Sequence, residues 1–186
     1  MKLYDMVLVS MFAAVVAVLG LIPPIALPFT PVPITTQTLG VMLAGAMLGS
    51  KRGFISLLLF VLLVGAGAPI LAGGRGGLAV LFGPSGGYIL SWPFASFIIG
   101  FFVEKNFEKL AFWKVLVFNI IGGILFVYLC GISYLSWIAN MNWISASISA
   151  LAYIPGDLTK AVISAFLAVR IQKSYPLIKA RNKQAA

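Results

Sequence analysis

Val115–Trp137 reads VLVFNIIGGILFVYLCGISYLSW, 23 residues without one charged side chain. At ~1.5 Å per residue a helix of this length covers ~35 Å, enough to cross the ~30 Å hydrocarbon layer with some tilt. The run lacks the apolar–polar alternation of a barrel strand. A segment in lipid must satisfy its backbone groups internally, so this one predicts a helix. Shorter apolar runs elsewhere repeat the pattern. They predict further spans at about 6–22, 35–50, 54–71, 88–103 and 157–171, beside 115–137 itself.

Composition supports that reading over the whole chain. Of 186 residues, 61% are hydrophobic and 9% charged, and the mean hydropathy is +1.08. A soluble domain carries about 25% charged residues, so this chain cannot clothe itself in polar surface. The expected fold class is an all-α membrane protein: six transmembrane helices in a compact bundle, one domain over 1–186. The first apolar segment runs into Pro23-Pro24 without a small-residue cleavage pattern and is expected to stay as the first helix. Its Ala13 and Ala17 form a small-xxx-small pair that lets another helix approach. Prolines should end that helix, and Leu27–Pro33, LPFTPVP, reads as an extended connector. Trp137, Trp143 and Tyr153 around a later turn read as an interfacial aromatic belt. With no histidine and one cysteine, Cys130, metal sites, histidine base catalysis and intrachain disulfides lack the residues they need. No glycine-lysine phosphate loop is present either.

The net charge is +9, and its placement gives topology. Lys2, Lys51, Arg52, Lys105, Lys109, Lys114, Arg170, Lys173, Lys179, Arg181 and Lys183 all fall on one side if both termini are cytoplasmic, as basic loops prefer. The charge is therefore read as insertion, not nucleic-acid binding. Arg75, Asp157 and Lys160 remain toward the opposite half. An ionisable group within a span costs about 2.5–3.5 kcal/mol on insertion scales and is a functional candidate. The alternative is structural, with Asp157 capping its helix, Lys160 snorkelling and Arg75 among headgroups.

Arg75 lies inside GAGAPILAGGRGGLAVLFGPSGGY, Gly65–Tyr88, which holds nine of the nineteen glycines. The stretch reads either as a flexible connector or as a built loop offering backbone amides and a fixed cation. Asp157 and Lys160, three apart, share a helix face. Two cations and one carboxylate suit a ligand with one carboxylate and N–H donors for Asp157. Gln37, Ser85 and loop amides such as that of Gly74 would add neutral hydrogen bonds. Gln37 could instead cap its helix. Tyr88, Phe82 and Trp92 would pack an apolar body, or simply pack the core. The residues leave open whether Arg75 or Lys160 meets the carboxylate.

Three stretches then carry a family likeness: TPVPITTQTLGVMLAGAMLG at Thr30–Gly49, APILAGGRGGLAVLFGPSGGY at Ala68–Tyr88, and PGDLTKA at Pro155–Ala161. Together they resemble the BioY family, biotin-specific substrate-binding components of energy-coupling factor transporters. Ser85 stands where that family more often has threonine, which keeps the hydroxyl. The resemblance implies a multi-pass protein of the bacterial inner membrane with an outward-open biotin site between the glycine loop and the start of helix six. It also implies a transmembrane coupling protein and two ATPase subunits as partners, docked through Ala13 and Ala17, and movement of the binding component within the bilayer. It implies no catalytic activity, no cofactor and no nucleic acid. A ligand-free structural subunit and a membrane-embedded transferase are the alternatives.

Overall fold

The computed structural model describes residues 2–175 together with 177 and 178; Lys179, Arg181 and Lys183 of the basic tail lie outside them. Helix α1 spans Leu3–Leu19. It stops at Gly20, before Pro23-Pro24. A side chain on Gly20 would collide with the Ile70 and Ala17 carbonyls and the Gln37 amide. The helix thus ends where a later loop crowds its last turn, and the prolines shape only the connector beyond it.

That connector is a hairpin. Strands β1 (Ile25–Leu27) and β2 (Thr30–Ile34) run antiparallel, with Ile25 opposite Ile34 and Leu27 opposite Thr30. Pro31 and Pro33 are tolerated because a two-stranded ribbon has only edges. Helix α2 (Gln37–Leu48) comes next, with Gln37 and every residue from Gly40 to Leu48 buried. Gly49, at φ 83°, turns the chain directly into α3, Ser50–Gly65. Glu104 caps this start, accepting from the Ser50 backbone N–H at 2.7 Å and from its hydroxyl at 2.8 Å. α3 therefore begins earlier than the expected span and ends six residues sooner.

After the glycine loop and a single turn, α4 (Leu78–Leu81), comes α5, Gly86–Lys105. It runs through Pro93 unbroken and packs on both α2 and α3. Helix α6 (Phe112–Asn119), a π-helical stretch (Ile120–Phe126) and α7 (Val127–Ile138) form one 27-residue rod that packs against α5. In the π stretch, Gly122 abuts Ile99 and Gly123 abuts Met42, where side chains would collide. The wider turn re-aims the rod just before Val127 and Tyr128. A short α8 (Trp143–Ala150) and a 3-10 turn lead into α9, Ile154–Ser174, which packs on α2 and α6. The sequence placed only a connection where α8 stands.

Among the described residues, three stretches are long and apolar enough to cross a membrane: Gly86–Lys105, Phe112–Ile138 and Trp143–Ser174; α1 and α2 are shorter apolar helices. The outside carries Leu62, Leu125, Leu129 and Phe166, each about 60% exposed. So extensive an apolar exterior belongs in lipid, and the chain is a helical membrane protein. Trp137 and Trp143 lie on that exterior, whereas Tyr153 is 5% exposed. Tyr153 is no belt residue: its hydroxyl pairs with Thr30 Oγ1 at 2.7 Å and donates to the Val32 carbonyl at 2.8 Å, pinning the hairpin.

The end of the bundle away from the hairpin is tied by ions and amides. Arg52 pairs with Asp5 at 2.7 Å and donates to the Leu177 carbonyl at 2.9 Å. Gln172 donates to the Met47 carbonyl at 2.9 Å and accepts from Leu177 N–H at 3.0 Å. The starts of α1 and α3 and the end of α9 therefore share one end.

Candidate functional site

The hairpin, the glycine loop, the first turns of α2, α5 and α9 and the start of α7 line a partly open cleft. Asp157 stands in the first turn of α9, 5% exposed. It does not cap its own helix by the expected side-chain bond. Its Oδ1 accepts from Lys160 Nζ at 2.8 Å and from Thr38 Oγ1 at 3.1 Å, and its Oδ2 accepts from the Tyr128 hydroxyl at 2.7 Å. Lys160 does not snorkel. Its ammonium donates also to the Thr35 carbonyl and to Thr38 Oγ1 at 3.1 Å. An ammonium has three protons and these partners take all three. A carboxylate has about four acceptor sites, so Asp157 keeps one, on Oδ2, for an N–H brought by a ligand.

Arg75 is different. Consecutive positive-φ glycines, Gly73 at 79° and Gly74 at 68°, make the turn that presents it. Leu71 N–H donates to the Arg75 carbonyl at 3.0 Å, and Gly74 N–H to the Leu71 carbonyl at 3.0 Å. Gly77 N–H closes onto the Val64 carbonyl at 2.7 Å. The loop is built, not a loose connector, but these amides serve the loop itself. Gly74 makes the turn and does not itself line the cleft. Arg75 reaches the cleft with Nε on the Ala72 carbonyl at 3.1 Å. Among the described residues it pairs with no carboxylate. The cleft thus holds one neutralised ion pair and one uncompensated cation.

Gln37 lines the cleft and is 1% exposed, yet its amide is engaged. It donates to the Val16 carbonyl at 3.0 Å and the Ile70 carbonyl at 3.1 Å, and accepts from Ala72 N–H at 3.0 Å. It is a strut between the end of α1 and the glycine loop, neither helix cap nor free donor. Ser85, Tyr88 and Trp92 border the cleft as well. Phe82, 67% exposed, does not.

Sequence reasoning missed Tyr128, Thr38, Tyr153 and the hairpin residues Val32–Ile34, all lining the cleft. Tyr128 gave a signal, as a phenol inside an uncharged 23-residue run. The others become visible only when the hairpin folds over α9.

A family model described as the BioY family matches residues 1–177. The chain belongs to the BioY family. "Probable biotin transporter BioY" of Bacillus subtilis (strain 168) is 48% identical over 177 residues, covering 95% of both chains. "Biotin transporter BioY" of Rhizobium etli is 44% identical, covering 97% of this chain and all of the relative. A crystal structure of the S-component for biotin from an ECF-type ABC transporter superposes with a TM-score of 0.89 at 37% identity, over 92% of each chain.

The family resemblance implied docking through Ala13 and Ala17. Ala13 is 5% exposed within the core and Ala17 is half-buried against it. The outward side of α1 carries Val7, Ser10, Met11, Ala14 and Val18 instead. Ser10 and Ala14, four apart, are the small residues open to a neighbouring helix.

Proposed function

We propose that this chain takes up biotin as the high-affinity, non-catalytic binding component of an energy-coupling factor transporter, handing it to an ATP-driven partner module. The observation that carries the reading is the odd charge of the cleft: Asp157 and Lys160 cancel, and Arg75 is left over. Biotin supplies one carboxylate for Arg75, a ureido N–H for the free acceptor site on Asp157 Oδ2, and an apolar body for Tyr88, Trp92 and Ile89. Lys160 serves by pairing with Asp157 and fixing its carboxylate in place, Ser85 and Gln37 by lining the walls, and Gly74 by making the turn that presents Arg75. The relatives named as biotin transporters and the biotin S-component structure support the same substrate.

The single domain, residues 1–186, crosses the bacterial inner membrane six times through α1, α2, α3, α5, the α6–α7 rod and α9, with both termini cytoplasmic. The gathering of Asp5, Arg52 and the α9 end supports this arrangement. A coupling protein and two ATPase subunits complete the transporter, the former meeting the outward face of α1 around Ser10 and Ala14. No metal or cofactor is assigned to the chain itself.

Equilibrium binding to the purified protein tests the substrate. Biotin should bind, and other water-soluble vitamins should not compete. Biotin methyl ester should bind roughly 10–100-fold more weakly, since a hydrogen bond to a charged group contributes about 1.5–3 kcal/mol and 1.4 kcal/mol is tenfold. Arg75→Met should lose the same preference for acid over ester. Equal affinity for acid and ester in the wild type would remove Arg75 from the proposal. ATP-dependent uptake into vesicles, with and without the energising subunits, tests the partner assignment.

A further inference from the structure

Two buried donors at the cleft have no partner. The Tyr88 hydroxyl and the Trp92 indole N–H form no hydrogen bond among the described residues, although the side chains are 8% and 4% exposed. Both line the cleft. They stand four apart in α5, hence on one face one turn apart. An unpaired buried donor destabilises the folded chain, so two together on a cleft wall point to an acceptor that arrives from outside.

Their surroundings restrict the acceptor. The Tyr88 ring meets the Tyr128 ring edge-on at 6.4 Å, and Tyr128 holds Asp157. The Tyr88 hydroxyl therefore borders the end of the cleft that carries Asp157, and Trp92 stands one turn further along the same wall; with the Asp157–Lys160 pair already closed, a neutral acceptor suits the place. Tyr88 is also fixed in place. Its ring lies directly over Gly131, where any side chain would collide with it, and the Trp92 ring rests on Phe60 at 5.9 Å.

We infer that the Tyr88 hydroxyl and the Trp92 indole N–H donate to the neutral carbonyl oxygen of the ligand's urea, one to each lone pair, and so set specificity for an oxo group there. This rests on the biotin reading above. Asp157 reads the N–H edge of the ring, Tyr88 and Trp92 read its oxygen, and Arg75 takes the distant carboxylate. A ligand with the same N–H groups and the same tail but a poor acceptor in place of the oxygen would satisfy Asp157 and Arg75 while leaving both donors bare.

The test compares biotin, 2-thiobiotin (sulfur for the ureido oxygen) and desthiobiotin (urea kept, thioether removed) on full-length wild type, Tyr88→Phe and Trp92→Phe in detergent. Wild type should prefer biotin to 2-thiobiotin by about tenfold or more, the loss of one or two hydrogen bonds. Each variant should bind biotin and desthiobiotin more weakly in parallel, while 2-thiobiotin changes little, so the oxygen-over-sulfur preference shrinks. Ligand-free Tyr88→Phe should melt no lower than wild type, since its hydroxyl has no partner to lose. An unchanged oxygen-over-sulfur preference in both variants overturns the inference and leaves the biotin reading standing. A lowered ligand-free melting temperature for Tyr88→Phe, showing a structural partner for the hydroxyl, also overturns it. Wild type that ignores all three ligands overturns the biotin reading and this inference with it.

Discussion

Asp157→Asn should lose biotin binding and fold less stably, and adding Lys160→Met should recover the stability without the binding. The side chains of Asp157 and Lys160 are 7% and 13% exposed, and the pair is closed at 2.8 Å. Removing one member of a buried pair leaves the other as an uncompensated buried charge, at about 3–5 kcal/mol. In Asp157→Asn that charge is Lys160, left with neutral acceptors alone: the new amide oxygen, the Thr35 carbonyl and the Thr38 hydroxyl. The new amide must also face the Tyr128 hydroxyl, which can rotate to accept. Replacing both members with uncharged groups of similar volume removes the stranded charge, and such replacements are often neutral. Binding does not return, because the ligand N–H has lost its charged acceptor, a loss of roughly 10–100-fold from one charge-assisted bond. Melting curves and biotin titrations on the single and double variants separate the two effects. A double variant that binds biotin as wild type does would remove Asp157 from the site.

The same pair shows what could be read from sequence and what could not. Setting aside the basic residues that obey the insertion rule left Arg75, Asp157 and Lys160, and the fold brings all three to one cleft. That step needed only charge bookkeeping along the chain. The helix limits were less legible. Gly20 closes α1 at a place where Ile70 and Gln37 leave no room for a side chain, and Gly49, against Glu104, lets α2 turn straight into α3; these neighbours are distant in sequence. The hairpin was seen as extended but not as paired, since prolines at alternate positions give no pairing signal. The aromatic-belt reading of Tyr153 failed for a related reason: apolar–polar amphipathicity suits an interface and a pinned hairpin equally well, and only the Thr30 contact decides. Likewise Ala13 and Ala17 are four apart and small, but helix phase alone cannot say which side of α1 meets the bundle. Composition left the two cations alike, and proton counting sets them apart: the three protons of Lys160 all have partners, while Arg75 pairs with no carboxylate among the described residues.

Gln37→Leu should be the most damaging neutral substitution at the cleft wall. Leucine fills a similar volume but strips partners from the Ile70 carbonyl and Ala72 N–H, which the glutamine amide otherwise joins to the end of α1. Each buried group left unpaired costs about 1–3 kcal/mol, so a loss of several kcal/mol and a clear fall in melting temperature are expected. The damage should travel. Ala72 adjoins the Leu71–Arg75 turn and its carbonyl receives Arg75 Nε, so loosening it frees the cation proposed for the carboxylate. Biotin affinity should fall by about tenfold or more, although Gln37 has no amide proton to offer a ligand. Hydrogen exchange distinguishes a strut from a contact. If Gln37 works as a strut, the amides of Leu71, Gly74 and Arg75 exchange faster in the ligand-free variant than in ligand-free wild type. If it were a ligand contact alone, those amides and the ligand-free melting temperature would stay as they are, and only the titration would move.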